Sequence, residues 1–336
     1  IGLAHMDSWK KHPNAELVAV AEVNPQRRQE AADKHKIKGV EDYKELLADK
    51  SIDAVSIALP NFLHASVTIE AIRAGKHVML DKPMATSAKE GQQIIDAWQE
   101  KKVVFMVGQN FRFNRDTQMV REYARNGELG EIYHARAFWL RRAGIPRIGS
   151  WFTQKKFAGG GCCYDIGVHL LDCALHCMGN FDAEAVSGIT YAKFGPRGLG
   201  DGSWGKGEID PSKPFDVEDL AAAMIKLRGG QSVVLQVSWA LQADNGKDNG
   251  VEIFGTEGGA SLFPAKIHRV RNGNNYETIT PDYKKLPLPE DRLVHFVDCI
   301  LTGTSPLVRP EDSLKVQKIL DAIYDSSTSG REVRIS

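Results

Sequence analysis

The sequence has no apolar run near the roughly 20 residues that a membrane-spanning helix needs, and no basic-then-apolar leader at its N-terminus. Both absences argue against a membrane partner and against export. It also lacks a charge of one sign: 43 Lys and Arg balance 43 Asp and Glu. That balance leaves no electrostatic footprint for nucleic acid or an anionic surface. Cysteine is scarce, and the five present are an odd number with Cys162 and Cys163 adjacent. Free buried thiols fit this better than a disulfide framework, and the reducing cytoplasm is the expected compartment. There is no internal repeat and no low-complexity tract. An initiating methionine is lacking too: the chain opens on Ile1-Gly2 with a helical pattern almost at once, so residues upstream of Ile1 are expected.

What is present is 336 residues of ordinary apolar content, about twice a typical single domain. Two cores and a small-molecule partner follow. In the first third, apolar runs at 17–23 and 52–59 alternate with helical stretches at 25–35 and 64–74. Two more β-like runs, 77–80 and 103–107, flank a helix at 88–100. Such alternation predicts βαβ units, a doubly wound α/β domain with a parallel sheet over residues 1–115. After Asn114 the pattern becomes a helix at 117–125 and alternating strands at 132–140, 220–227, 232–240 and 251–255. Residues 116–336 are therefore an α+β domain with a large, mostly antiparallel open sheet. Residues 194–215, rich in Gly, Pro, Ser and charge, predict a long surface loop, either a substrate-side lid or disordered. The last helix, 310–326, starts on a proline with Glu311 and Asp312 in its first turn, and packing of this helix back on the first domain is anticipated.

A dinucleotide site needs glycine where a strand turns into a helix and an acidic residue at the end of the next strand for the ribose hydroxyls. Gly2 and Glu22 stand there, with Asn24 beside Glu22. A carboxylate at this place repels a 2′-phosphate, so NAD is preferred to NADP, which Arg27 and Arg28 would otherwise serve. Pro60 and Asn61 end a strand and should face the cofactor; Asn61 doubles as a candidate helix cap for His64, itself read as a helix residue before a ligand. The run Gly75-Lys76-His77-Val78-Met79-Leu80-Asp81-Lys82-Pro83 ends a strand in a charged pair, against the alternative of a plain surface turn. Lys82 at a strand's carboxyl end can reach the reacting oxygen.

The sharpest local signal is Gly159-Gly160-Gly161-Cys162-Cys163-Tyr164-Asp165-Ile166-Gly167-Val168-His169. Asp165 and His169, four apart on a helix, predict a dyad in which histidine takes the hydroxyl proton and the carboxylate orients the ring. The rival reading is a helix N-terminal aspartate and a core histidine. Asp172 is the second choice for the orienting role. His176 with Cys173 and Cys177 invites a metal, but that spacing on an apolar helix is read as core packing, so no metal is expected. Arg112, Arg141, Arg142, Arg147, Trp151 and Phe152 are candidate sugar contacts.

Together these stretches, Pro60-Asn61 with His64, the run through Asp81-Lys82-Pro83, and Asp165-Ile166-Gly167-Val168-His169, resemble the Gfo/Idh/MocA family, which includes glucose-fructose oxidoreductase and inositol dehydrogenase. The resemblance implies a Rossmann domain and a C-terminal domain whose open sheet builds homodimers or homotetramers. It implies catalysis by Lys82, Asp165 and His169 and cofactor contacts at Gly2 and Glu22; Asn24, Pro60, Asn61, His64, Asp81 and Lys82 complete the candidate cofactor set, and Arg112, Arg147, Trp151, Asp165 and His169 are the candidate substrate contacts. Asp81 departs from the family's usual glutamate before Lys-Pro. The stretch 140–153 is similar to a subgroup acting on glycosides and other sugars. The expected activity is reversible NAD-dependent oxidation of a secondary hydroxyl of a sugar, glycoside or cyclitol. Two rivals stand beside it. One is an enzyme that modifies or cleaves glycosides with tightly bound, transiently reduced NAD. The other is a non-catalytic dinucleotide or sugar sensor, against which the joint presence of Lys82, Asp165 and His169 argues.

Overall fold

The computed structural model describes all residues except 205–209, 211, 245–248, 272, 274, 283–288 and 336. The first part runs α1 (Gly2–Trp9), β1 (Ala19–Ala21), α2 (Pro25–His35), β2 (Lys38–Val40), α3 (Tyr43–Ala48), β3 (Ala54–Ile57), α4 (His64–Arg73), β4 (His77–Leu80), α5 (Ala88–Gln99) and β5 (Phe105–Val107). All pairings here are parallel, in two pieces: β1 with β2, and β3–β4–β5. β2 and α3 leave no mark in the sequence pattern. A three-residue strand and a six-residue helix are too short to show a period.

Local chemistry sets the helix ends. Asn24 caps α2 by accepting from the Arg27 amide, with Pro25 at the first helical position. Ser87 caps α5, and Glu90 reaches back to the Thr86 amide and hydroxyl, a reciprocal arrangement that satisfies orphan donors. Ile57, Leu80 and Val107 lie side by side across β3, β4 and β5. The three carboxyl ends therefore open on one edge, where Pro60-Asn61, Asp81-Lys82 and Gln109-Asn110 follow.

The second part contains α6 (Arg115–Arg125), β6 (Ile132–Leu140), α7 (Lys155–Ala158), α8 (Val168–Met178), β7 (Ala183–Tyr191), β8 (Leu220–Leu227), β9 (Ser232–Ser238), β10 (Asn249–Gly255), β11 (Gly259–Ser261), β12 (Lys266–Arg271), β13 (Asn275–Ile279), α9 (Arg292–Thr302), α10 (Pro310–Ser329) and β14 (Val333–Arg334). Its strands form one nine-stranded sheet in the order β13-β12-β11-β10-β6-β9-β8-β7-β14, antiparallel except where β6 meets β9. Alternation along β8 and β9 buries Ala221, Ala223, Ile225, Val233, Leu235 and Val237 on one face, against the apolar helix α8 and the helix α10. α10 also packs on α5 and β5, and α9 on α1 and β4, so both parts share an interface of helices.

The described part of 194–215 is a wall of the second part. The amides of Gly144 and Ile145 both donate to the Gly200 carbonyl, and Gly202 donates back to Ile145. The amides of Lys193, Phe194 and Gly195 converge on the buried Asp219 carboxylate. Residues 205–209 and 211 of that predicted loop lie outside the described residues.

Candidate functional site

Lys82 leaves the carboxyl end of β4, next to Pro83 across a cis peptide. Its ammonium donates to the Asp165 carbonyl at 2.7 Å and to Asp165 Oδ1 at 2.9 Å. Asp165 Oδ2 accepts from the Trp239 indole at 2.8 Å, so both carboxylate oxygens are occupied by donors. Residues Cys163–Gly167 form a single π turn leading into α8, a feature frequent at functional sites. The turn brings the Asp165 carbonyl, as well as its carboxylate, to Lys82. This joins two residues 83 positions apart in the chain.

The predicted Asp165–His169 dyad is not formed. The Asp165 carboxylate faces Lys82 and Trp239, and neither ring nitrogen of His169 has a hydrogen-bond partner among the described residues. The imidazole packs beside Phe111, centroids 5.1 Å apart, with Nδ1 closed off from solvent, which leaves Nε2 for exchange. Burial first, and then the nearby cations Lys82, Arg292 and Arg141, push its pKa well below the usual 6.5. It is a neutral imidazole at neutral pH, where the sequence reading expected an ordinary one.

Asp172 does not orient His169 either. It takes a bidentate contact from Arg112, at 2.8 and 2.6 Å. Arg112 is 1% exposed, also reaches Asp312 and the Leu307 carbonyl, and lies over the Phe181 ring. Its donors are spent inside the protein, so Arg112 is a core ion cluster between the two parts and no substrate contact. Sequence alone cannot tell a cleft arginine from one that meets two aspartates 60 and 200 residues away.

The glycine run is also used internally. A Cβ on Gly160 would fall 2.0 Å from the Tyr324 hydroxyl, and one on Gly161 would fall 1.9 Å from the Glu218 carbonyl. The buried Glu218 carboxylate receives the amides of Gly161 and Cys163 at 2.9 and 2.8 Å. Close approach is thus to Glu218 and Tyr324 and pins the start of the π turn. Glu218 and Trp239 escaped the sequence reading. The adjacent acids Glu218-Asp219 before an alternating strand, and a tryptophan just past the end of one, were the available signals.

On the cofactor side, Glu22 ends β1 with one carboxylate oxygen on the Asn24 amide, and Asn24 Oδ1 is the α2 cap. Arg28 turns onto the carbonyls of Glu22 and Val23 and onto Glu41, away from a role in binding a 2′-phosphate. Gly2 begins α1 with no atom within 4 Å of where a Cβ would stand. Asp81 accepts the Lys82 amide and lies 3.9 Å from Arg292. Pro60 starts the turn Asn61–Leu63, where Asn61 donates to the Ala158 carbonyl and caps nothing. His64 is buried, its ring nitrogens 2.7 and 2.8 Å from the Pro83 and Leu59 carbonyls. It ties two strand-end turns together and is closed to a ligand. Past β5, Gln109 Oε1 and Asn110 Oδ1 are buried acceptors without partners. A nicotinamide carboxamide offers the donors such orphans lack, so Glu22, Gly2, Gln109 and Asn110 fit a bound NAD.

On the substrate side, Trp151 stacks on Phe152 at 3.8 Å, and Phe152 meets Trp204. Arg147 sits in the same segment at φ 38° with no side-chain hydrogen bond among the described residues. All five cysteines are free and buried. Cys173 lies 3.5 Å from Thr117 Oγ1, and burial pushes His176 well below its usual pKa, which is core packing. Among the described residues no group of three His, Cys, Asp or Glu side chains is gathered for a metal, and no helix is long and apolar enough to cross a membrane.

Comparison with known proteins places this geometry. The chain is 32% identical over 98% of its length to D-glucoside 3-dehydrogenase of Escherichia coli, covering 93% of that protein. It is 32% identical over 71% of its length to levoglucosan dehydrogenase of Pseudarthrobacter phenanthrenivorans, covering 63% of it. A solved levoglucosan dehydrogenase in complex with NADH and L-sorbose superposes with a TM-score of 0.87 at 25% identity, over 100% of this chain and 96% of that one. Residues 1–109 match the oxidoreductase family with an NAD-binding Rossmann fold, and residues 117–261 match the GFO/IDH/MocA C-terminal domain. With both halves matched and the parallel and open sheets in place, the chain belongs to the Gfo/Idh/MocA family of NAD-binding oxidoreductases.

Proposed function

We propose that this protein is an NAD-dependent dehydrogenase that reversibly oxidises a secondary hydroxyl of a sugar, glycoside or cyclitol. The observation that carries the reading is a lysine anchored on a carboxylate at a strand's carboxyl end, beside a neutral histidine with free valence. Bound NAD supplies the hydride acceptor, and the protein's share is orientation and proton transfer. Two of the three Lys82 N–H bonds go to Asp165, which leaves the third for the substrate hydroxyl oxygen. That contact polarises the O–H as the carbonyl develops. His169 Nε2 takes the hydroxyl proton; its depressed pKa keeps the lone pair available at neutral pH. Asp165 positions Lys82, and Trp239 positions Asp165. Trp151, Phe152 and Arg147 supply ring faces and a donor for the sugar.

The same reading divides the chain at 115/116 into a dinucleotide half and a substrate half. The exposed sheet face supports assembly of identical chains as a homodimer or homotetramer. Five free thiols support a reducing compartment, the cytoplasm. The test is NADH absorbance during a screen of sugars, glycosides and inositols with NAD. A steady rise that His169→Ala lowers about 10²–10⁴-fold, with NAD binding retained, is expected. NAD binding without turnover of any of them would sink the dehydrogenase reading.

A further inference from the structure

Arg141 stands one residue beyond the Leu140–Ser238 pair that closes the parallel ladder of β6 and β9, and its amide donates to the Ser238 carbonyl at 3.1 Å. Trp239 stands one residue beyond the other member of that pair and sends its indole to Asp165. Side chains at matching positions of neighbouring strands leave a sheet on the same face. Arg141 is therefore delivered to the side of Asp165. Its guanidinium lies over the Trp139 ring at 4.3 Å and 5.9 Å from the Trp204 ring. Trp139 stacks on Phe111, and Phe111 packs on His169, so a continuous row of rings joins Arg141 to the proton-transfer group. Arg141 also lines a cleft of about 580 Å³ with Arg142, Phe194, Leu199, Gly200 and Gln242, which is room for a sugar ring and a substituent.

Charge around the candidate catalytic groups is unevenly paired. Lys82 is matched by Asp165, and Arg292 lies near Asp81. The Arg141 guanidinium has aromatic faces and lies within the field of Asp165, but makes no hydrogen bond or ion pair among the described residues. Partial burial lowers its pKa somewhat, yet a guanidinium stays charged. A stacked, charged, planar fork with its donors unspent is matched best by a carboxylate, which accepts two parallel bonds about twice as strong as those to a neutral hydroxyl.

We infer that Arg141 binds a carboxylate of the substrate, so that the sugar oxidised is an acid: a uronic or aldonic acid, or a glycoside of one. The inference rests on the dehydrogenase reading for the reaction and adds the charge of the substrate.

Methyl β-D-glucopyranoside and methyl β-D-glucopyranosiduronate differ only at C6 and make a matched pair of probes. Steady-state NADH formation is measured with each on the wild-type enzyme, Arg141→Gln and Arg141→Lys. In parallel, calorimetry measures binding of each glycoside to the NADH-loaded protein. The acid should exceed the neutral glucoside about tenfold or more in kcat/KM, chiefly through KM, as one charge-assisted contact gives. That preference should shrink with salt, collapse in Arg141→Gln and survive in part in Arg141→Lys. Equal or better use of the neutral glucoside, or a preference that survives Arg141→Gln, overturns the inference. If neither glycoside is oxidised, calorimetry decides. Tighter binding of the acid, lost in Arg141→Gln, keeps Arg141 as a carboxylate site and leaves the dehydrogenase reading to the wider sugar screen; equal binding overturns the Arg141 assignment itself.

Discussion

His169 carries the pH dependence expected of this site. The folded protein disfavours its protonation, because burial and the cations Lys82, Arg292 and Arg141 all oppose a second positive charge on the ring. The proposed base is therefore still neutral when pH falls through 6.5. For sugar oxidation, kcat/KM should stay flat from neutral pH down past 6.5 and decline only further into acid. A pH profile with its acid limb centred near 6.5 would show that the ring is hydrated and that burial does not depress its pKa. The same shift sets a stability term of known sign: it is complete above the unfolded value of 6.5 and is lost as pH falls toward the lower folded value. At this scale the sequence singled out Lys82 and His169, which the fold brings within electrostatic reach of one another. It was silent on partners. Asp165 was identified, but its contact with Lys82 in place of His169 depends on a π turn that no residue pattern announces.

The π turn and the glycine run before it act as one element, held by Glu218. Gly161→Ala places a methyl group 1.9 Å from the Glu218 carbonyl oxygen, and neither backbone can retreat without disturbing the Gly161 and Cys163 amides on the Glu218 carboxylate. The variant should lose about 3 kcal/mol by urea unfolding, the upper part of the overpacking range, together with a fall in kcat as Asp165 shifts. A loss under about 0.5 kcal/mol, typical of a surface change, would mean that the run is slack and that Glu218 does not set it. Elements with a full period were legible: α2, β4, β6 and β8 occupy the spans that hydrophobic pattern and caps indicate. β2 and α3 were not, since three and six residues hold too little of any period. Glycine clusters were legible as close approaches but not as to what approaches. Here it is Tyr324 and Glu218, brought from 164 and 57 residues downstream by packing of the sheet and α10.

Across the molecule, one face of the nine-stranded sheet carries α8 and α10, and the other carries no helix among the described residues. Register puts Ile189 and Tyr191 of β7, Met224 of β8, Phe254 of β10, Val270 of β12 and Tyr276 of β13 on that second face. All are substantially exposed, Tyr276 to 88%. Alternation on an antiparallel sheet ordinarily gives a polar outer face, so a row of large apolar side chains spread from β7 to β13 is more apolar surface than a monomer usually leaves in water. A second copy under two-fold symmetry is the partner proposed for this face, because an isologous contact needs only one self-complementary surface. The face lies opposite the helices that frame the catalytic cleft, so assembly and chemistry should separate. Light scattering on the wild-type protein should give a multiple of the 37.1 kDa chain mass. Ile189→Glu with Met224→Glu, which places like charges on adjacent strands of both copies, should shift the mass toward a single chain with NAD binding intact. A monomeric wild-type protein, or an assembly indifferent to both glutamates, would place the contact elsewhere.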